Sequence, residues 1–241
     1  MICLLVAIGL YPSTALAGSV NIDFNSYDAV TPDSSYGGAT GQSGTWNGLG
    51  FFAENSSLVY AGELSGLDGL PSGIDYQVTG ISYPSTGASS DPVLRDSFWS
   101  ANYAPNPYWS VSLSGFAPGY YDVYIYAPTH PAIPTGSFTV NGNAVDSFGS
   151  ATSGAGANGI NGLDLGIDYI VLTDLYIDGT MAFDQTGYGI YYSAYNNQFL
   201  NAYMAGLAGI QVVSAPVPLP SSLLLLAPAL ISLAGLRRKK Y

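Results

Sequence analysis

The sequence has little of several residue types that support common kinds of site. Among 241 residues there is one cysteine, one histidine and only five lysines and arginines. Cys3 lies in the N-terminal apolar run, so no disulfide can stabilise the remaining chain, which must depend on a buried core. The single histidine and cysteine exclude a zinc site of Cys and His ligands. His130 lies in the proline-rich stretch "APTHPAIP" and no serine has a nucleophile motif, so we predict a loop residue and not a catalytic base.

Positive charge is almost absent from the body of the chain. All sixteen acidic residues and one base, Arg95, lie within residues 18–215, which gives this segment a net charge of −15 (one minus sixteen). Such a field repels phosphate backbones and excludes nucleic acid as a partner. It attracts cations, and the loop "NGLDLGID" offers Asn161, Asp164 and Asp168 as oxygen ligands for a structural calcium ion. The other interpretation is that these loop acids face water, and we predict no metal and no cofactor.

The N-terminus has the pattern of a secretory signal peptide. Residues 2–10 are apolar, and Ala15 and Ala17 form an A-x-A cleavage pattern. We therefore predict a signal peptide over residues 1–17 with cleavage after Ala17. A buried N-terminal strand is the alternative.

The C-terminus combines an apolar run with a basic cluster. Residues 219–236 contain eight leucines and no charge, and as a helix they would span about 27 Å, close to a bilayer core. Arg237, Arg238, Lys239 and Lys240 follow, and positive residues favour the cytoplasmic side. We predict a transmembrane helix over 219–236 that places residues 18–215 outside the cytoplasm.

The motif before this run adds a more specific interpretation. Val217, Pro218, Leu219 and Pro220 precede the apolar segment and the basic cluster, and prolines keep such a motif extended. Segment 216–241 resembles the PEP-CTERM sorting signal of Gram-negative bacteria in its VPLP-type variant. The resemblance implies recognition of these four residues by an exosortase, removal of the tail, and delivery to the cell surface or extracellular matrix. A plain tail anchor in the membrane is the alternative.

Between the ends, apolar residues alternate with polar ones and no helical stripe is present. The alternation predicts that Trp109, Val111 and Leu113 face inward. In "YYDVYIYA" it predicts an inward face and an outward face: Tyr121, Val123, Ile125 and Ala127 point inward, whereas Tyr120, Asp122, Tyr124 and Tyr126 point outward. About nine short strands separated by turn residues indicate an all-β domain over residues 18–215, a β-sandwich of jelly-roll type.

Three turns are predicted from local sequence. Pro118-Gly119 suits a type II turn that would join the strands on either side as a hairpin-like pair. Asn141-Gly142 is a favoured two-residue hairpin turn, and Asp178-Gly179 joins two further strands. Residues 187–203, rich in tyrosine, are predicted to form either an extra strand pair or a protruding loop.

The body also resembles the galactose-binding-type sandwiches that often precede this kind of tail. The segments that carry the likeness are "NIDFN", "GTWNGLGF", "LSGFAPGYYDVYIYA", "FTVNG" and "LAGIQVV". The resemblance implies a fold and not a particular ligand.

Aromatic residues are the main indication of binding. The chain has twenty tyrosines and three tryptophans. Trp99, Tyr103 and Tyr108 lie among prolines and asparagines, where flat rings could stack on sugars. Alternatively, Trp99 closes the end of the sandwich and the tyrosines shield an edge.

These features favour a non-catalytic protein associated with exopolysaccharide, in a structural or carbohydrate-binding role. The alternative is a polysaccharide hydrolase with paired carboxylates, for which Asp91 with Asp96 or Asp164 with Asp168 are pairs in sequence. A third interpretation is self-assembly through edge strands. A cleft lined by two close carboxylates would favour the hydrolase, and a surface of stacked tyrosines would favour binding.

Overall fold

The structure is a computed structural model, and it is built almost entirely of β-strands. It describes residues 18–25, 30–50, 59–80, 83–86, 91–100, 109–127, 137–145, 163, 165–166, 168–185, 191–193, 198–200 and 205–215. The strands, in chain order, are β1 (Val20–Asn25), β2 (Trp46–Gly50), β3 (Val59–Ser65), β4 (Pro71–Thr79), β5 (Tyr83–Thr86), β6 (Asp96–Ser100), β7 (Ser110–Ser114), β8 (Gly119–Tyr126), β9 (Phe138–Val140), β10 (Asn143–Val145), β11 (Tyr169–Ile177), β12 (Thr180–Gln185), β13 (Tyr191–Ser193), β14 (Gln198–Leu200), β15 (Ala205–Leu207) and β16 (Gly209–Ser214). A 3-10 turn at Gly38–Thr40 and one short helix, α1 (Pro92–Arg95), complete the described elements.

Two large sheets form the body of the molecule. One has five strands in the order β11-β8-β16-β1-β2, and the other has six in the order β10-β9-β12-β7-β4-β3. Strands β1 and β2 are parallel, whereas the other paired strands of both sheets are antiparallel. A three-stranded sheet, β15-β6-β5, and the pair β13-β14 accompany them. The described residues therefore confirm an all-β, sandwich-like architecture.

The inner faces of both sheets contribute to one buried core. Trp109 is 1% exposed, and its ring lies 5.6 Å from that of Phe98 and 5.8 Å from that of Phe138. Phe24 meets Phe98 edge-on at 4.8 Å. The inward faces predicted from alternation are confirmed: Trp109, Val111, Leu113, Tyr121, Val123, Ile125 and Ala127 are all buried, as are Phe138, Val140, Met181, Phe183, Ile210 and Val212.

The prediction that β7 and β8 pair as a hairpin is wrong. β7 pairs with β4 and β12 in the six-stranded sheet, whereas β8 lies in the five-stranded sheet. The chain crosses between sheets over residues 115–118, where Phe116 enters the core and Gly115 has a φ of +100°. Gly119 does not have the positive φ that a type II turn requires, because it already begins β8.

The other two predicted turns, Asn141-Gly142 and Asp178-Gly179, differ in whether the strands that they join pair with each other. Asn141 and Gly142 have φ of +49° and +79° and join β9 to β10 with Val140 opposite Asn143, which confirms the hairpin. Asp178 and Gly179 do join two strands, but β11 and β12 belong to different sheets. A turn signal identifies where a strand ends and does not identify the next strand's partner.

The estimate of about nine strands is too low, since the described residues contain sixteen. β3 shows why: only Leu64 of its seven residues is buried, so this edge strand carries almost no period-two signal. For residues 187–203, the alternative of an extra strand pair is confirmed by β13 and β14.

Candidate functional site: a tyrosine strip and a buried acidic chamber

Of the three aromatic residues predicted to bind sugar, only Trp99 lies in the described part of the chain. The backbone of Trp99 lies in β6, opposite Tyr83 on β5 and Gly206 on β15. Tyr103 and Tyr108 lie outside the described residues. The next tryptophan, Trp109, is a core residue.

A different set of rings lies on the outer face of the five-stranded sheet. Tyr120 and Tyr176 sit directly opposite each other on β8 and β11, with ring centroids 5.3 Å apart at 62°. They are 59% and 53% exposed. Further along the same strands, the half-buried rings of Tyr124 and Tyr169 stack with centroids 6.0 Å apart at 28°. We call these four residues the tyrosine strip.

The strip depends on an irregularity in β11. Leu172 is opposite Val123 and Leu175 is opposite Tyr121, so three steps on β11 match two on β8. This bulge inserts one extra residue, and it reverses which side chains point outward beyond it. Leu172 and Leu175 both pack against the core, and Tyr176 consequently points outward beside Tyr120.

The bulge is held by a polar contact within the strip. The backbone N–H of Asp174, whose φ is +56°, donates to Oδ1 of Asp122 at 3.0 Å. Asp122 lies between Tyr120 and Tyr124 on β8, so a carboxylate is placed between the two pairs of rings. The result is an aromatic surface with an acceptor at its centre, which spans the edge strand β11 and its neighbour β8.

At Tyr126 the outer face of the sheet is covered by another part of the chain and is no longer exposed to solvent. The prediction that it faces outward is confirmed, but the 3-10 turn covers it and it is fully buried. Its hydroxyl donates to Oε1 of Gln211 and accepts from the N–H of Ala39 at 2.8 Å. Burial is the main reason that the pKa of its phenol is raised well above the usual value. Nε2 of Gln211 in turn donates to Oδ1 of Asn21 at 3.0 Å.

Beyond this network lie three acids, which we call the acidic chamber: Asp23 on the same face of β1, Asp91 immediately before α1, and Asp96 at the start of β6. Asp23 and Asp96 are fully buried, and Asp91 is 8% exposed. Burial raises the pKa of Asp23 to about 9, and the charges of Asp96 and Asp91 add to that effect. Asp91 and Asp96, a pair in sequence, are therefore also close in space to a third acid that the sequence analysis did not include.

The acidic chamber does not have the access that a hydrolase needs, since its carboxylates are buried. A pair with access lies on the other sheet. Glu63 on β3 is directly opposite Asp75 on β4, and both line a shallow groove with Gln77 and Ser112. Oε1 of Glu63 accepts from the N–H of Gly73 at 3.0 Å, which holds this carboxylate at the groove.

Several predicted positions lie outside the described residues. These are the signal cleavage residues Ala15 and Ala17, the loop residues His130, Asn161 and Asp164, the sorting motif Val217–Pro220 and the basic cluster Arg237–Lys240. Asp168 is described and buried, and its carbonyl accepts from the N–H of Ala127 at 2.9 Å.

Two kinds of feature are absent from the described residues. Within these ranges, no three His, Cys, Asp or Glu side chains are placed to share one metal ion. The helices among them are all too short to cross a bilayer; the predicted span over 219–236 is not part of those ranges.

Comparison with known proteins gives no relative. No family model, no curated protein and no solved structure matches this chain.

Proposed function

We propose that this chain is an exported bacterial protein of the cell surface or extracellular matrix that binds exopolysaccharide without acting on it. In this proposal the body is a jelly-roll sandwich similar to galactose-binding domains. Residues 1–17 direct export, and the tail 216–241 holds the chain in the membrane until an exosortase-type enzyme processes it.

The tyrosine strip is the observation that carries the binding part of the proposal. Tyr120 and Tyr176 expose large amphipathic rings, and such rings suit the flat, weakly polar faces of sugars. Tyr120 and Tyr124 are four residues apart on one strand, about 13 Å at the usual rise, so the strip is long enough to contact more than one sugar of a chain. Asp122 between them supplies an acceptor for hydroxyl groups.

The test is affinity electrophoresis of the full-length chain in gels containing the exopolysaccharide of the organism that produces it. We expect the double variant Tyr120→Ala/Tyr176→Ala to bind about thirtyfold more weakly, since each of the two lost ring contacts is worth about 1 kcal/mol. Leu70→Ala is the matched control, because Leu70 is 63% exposed but lies on the loop between β3 and β4, away from the strip. Equal retardation of wild type, double variant and control would remove the strip from the proposal.

The groove at Glu63 and Asp75 supports a second candidate, a polysaccharide hydrolase. Residues directly opposite on antiparallel strands have Cβ atoms about 5 Å apart, which is close enough for two carboxylates to act on one glycosidic bond. The same preparations should be assayed for release of reducing ends. Activity that disappears in Glu63→Gln or Asp75→Asn would favour this candidate, and its absence from wild type would leave the binding role.

A further inference from the structure

The floor of the acidic chamber is the outer face of β1 and its two neighbouring strands, β2 and β16. On β1, Asp23 and Asn25 point to the outer face, and in the sheet register Asp23 lies between two glycines, Gly48 on β2 and Gly209 on β16. A Cβ at position 209 would lie 2.9 Å from the carbonyl oxygen of Ile22, and one at position 48 would lie 2.5 Å from Nδ2 of Asn25. The neighbouring strands thus place no side chain beside the Asp23 carboxylate.

The chamber has a roof made by the segment around α1. Cγ2 of Val93 would be 3.2 Å from a Cβ at Gly209, so the helix lies directly over the floor. Asp91 caps this helix: its Oδ1 accepts from the N–H groups of Val93 and Leu94, and its Oδ2 accepts from the hydroxyl of Tyr36 at 2.6 Å. These contacts occupy the Asp91 carboxylate. Asp96, at the start of β6, is fully buried, and its charge acts on Asp23 more strongly than that of Asp91.

The chamber also contains buried oxygen atoms without hydrogen-bond donors. Neither carboxylate oxygen of Asp23 has a hydrogen-bond partner, and Oδ1 of Asn25 has none. Nδ2 of Asn25 is used, because it donates to Oγ1 of Thr31 at 2.9 Å, which fixes the amide orientation. Buried acceptors are rarely left in this condition in folded proteins. A single proton on Asp23 would remove its charge and supply one hydrogen bond, which leaves at least one of these three oxygens without a donor.

We propose that Asp23, Asn25 and Asp96 bind a calcium ion between β1 and the roof of the acidic chamber. The donor atoms are all oxygens, which is the ligand type that calcium prefers over zinc. Because only two of them are carboxylates, backbone carbonyls and water complete a shell of six to eight ligands, as calcium permits. Magnesium is a poorer fit, since it demands near-octahedral geometry and retains its water.

The ion would have a structural role. It would join β1 in the sandwich to β6, which begins at Asp96 and is the central strand of the three-stranded sheet. It would also balance the repulsion that Asp91 and Asp96 exert on Asp23. The site is distinct from the loop at residues 161–168 and does not depend on sugar binding.

The test uses calcium alone with the full-length chain. We expect wild type to bind calcium by titration calorimetry and to melt about 5 °C or more higher in a hundredfold excess over Kd than in chelator. Asp23→Asn should lose that shift and, in chelator, should melt close to wild type, because asparagine is a neutral side chain of the same size. Asp68→Asn, a change at an exposed acid on the loop between β3 and β4, is the control and should respond as wild type.

A second pair of variants separates ligation from folding. Asn25→Ala removes both Oδ1 and the contact with Thr31, whereas Thr31→Val removes only that contact. Calcium affinity should fall at least about tenfold in Asn25→Ala and much less in Thr31→Val. The proposal is overturned if wild type melts identically in chelator and calcium, if Asp23→Asn keeps the full calcium shift, or if the two variants at the Asn25–Thr31 contact weaken binding equally.

Discussion

At the scale of single residues, the outer face of the five-stranded sheet shows how neighbours change the role of one residue type. Tyr120 and Tyr126 are six residues apart on the same strand and point to the same side. Tyr120 is 59% exposed, whereas Tyr126 is fully buried beneath the 3-10 turn and hydrogen-bonded to Gln211. The first can contact a ligand, and the second stabilises the fold.

The buried phenol gives a prediction about alkaline pH. Below about pH 10 both folded and unfolded states keep the Tyr126 proton; above it the unfolded chain loses the proton and the folded state keeps it, because the folded pKa is raised. Stability should therefore fall as pH rises, by about 1.4 kcal/mol per pH unit for this group. Tyr126→Phe should be less stable near pH 8 but should show a shallower decline above pH 10.

Urea unfolding of both proteins at several pH values measures these slopes. Below about pH 10 the stability difference between them should be constant, which serves as the internal control. Parallel decline of the two proteins up to about pH 12 would contradict the assignment of a raised pKa to Tyr126.

At the scale of elements, local sequence signals predicted the positions of turns better than they predicted which strands pair. The Asn141-Gly142 hairpin formed as predicted because positive φ at both positions is a local requirement. The pairing of β7 with β8 did not, because the four residues between them carry the chain to the opposite sheet. The bulge in β11, which creates the tyrosine strip, has no signal in "IVLTDLYI" that distinguishes it from a regular strand.

The hairpin turn gives a prediction at this scale. Asn141 tolerates its positive φ, and its Oδ1 accepts from the N–H of Ala182 at 2.8 Å. Asn141→Ala should therefore cost about 1–2 kcal/mol of unfolding free energy through backbone strain and the lost bond. Asn143→Ala, an exposed position on the same hairpin, should cost less than about 0.5 kcal/mol. Equal costs in chemical denaturation would show that the turn is not strained.

At the scale of the whole molecule, the body is closed by its own two ends. β1 and β16 pair, with Val20 opposite Val212, and the N–H of Ser214 donates to Oγ of Ser19 at 3.0 Å. The chain therefore enters and leaves the body at the same place. Removal of residues beyond 215 would leave every described strand intact, as a tail that is processed after export requires.

The proposed sorting tail gives a prediction at this scale. Under that proposal, changing Pro218 and Pro220 to alanine would let the motif join the helix predicted over 219–236, and the sorting enzyme would lose the extended segment that it recognises. Mass spectrometry of protein from intact cells should then find the C-terminus retained and the chain in the membrane. Ser221→Ala, just beyond the motif, is the control and should be processed normally. Processing of the double-alanine variant would exclude the motif as the recognised segment.

The sequence by itself determined the features that depend on local order along the chain: which side chains of β7 and β8 face the core, the Asn141-Gly142 turn, and the strongly negative charge of the body. Only the tertiary structure decided which strands share a sheet, on which face Tyr176 lies, and that Asp23 is buried beneath Asp91 and Asp96. The physical reason is that period-two alternation fixes the face of a residue within its strand, whereas hydrogen-bonded partners and bulges are chosen by strands distant in sequence.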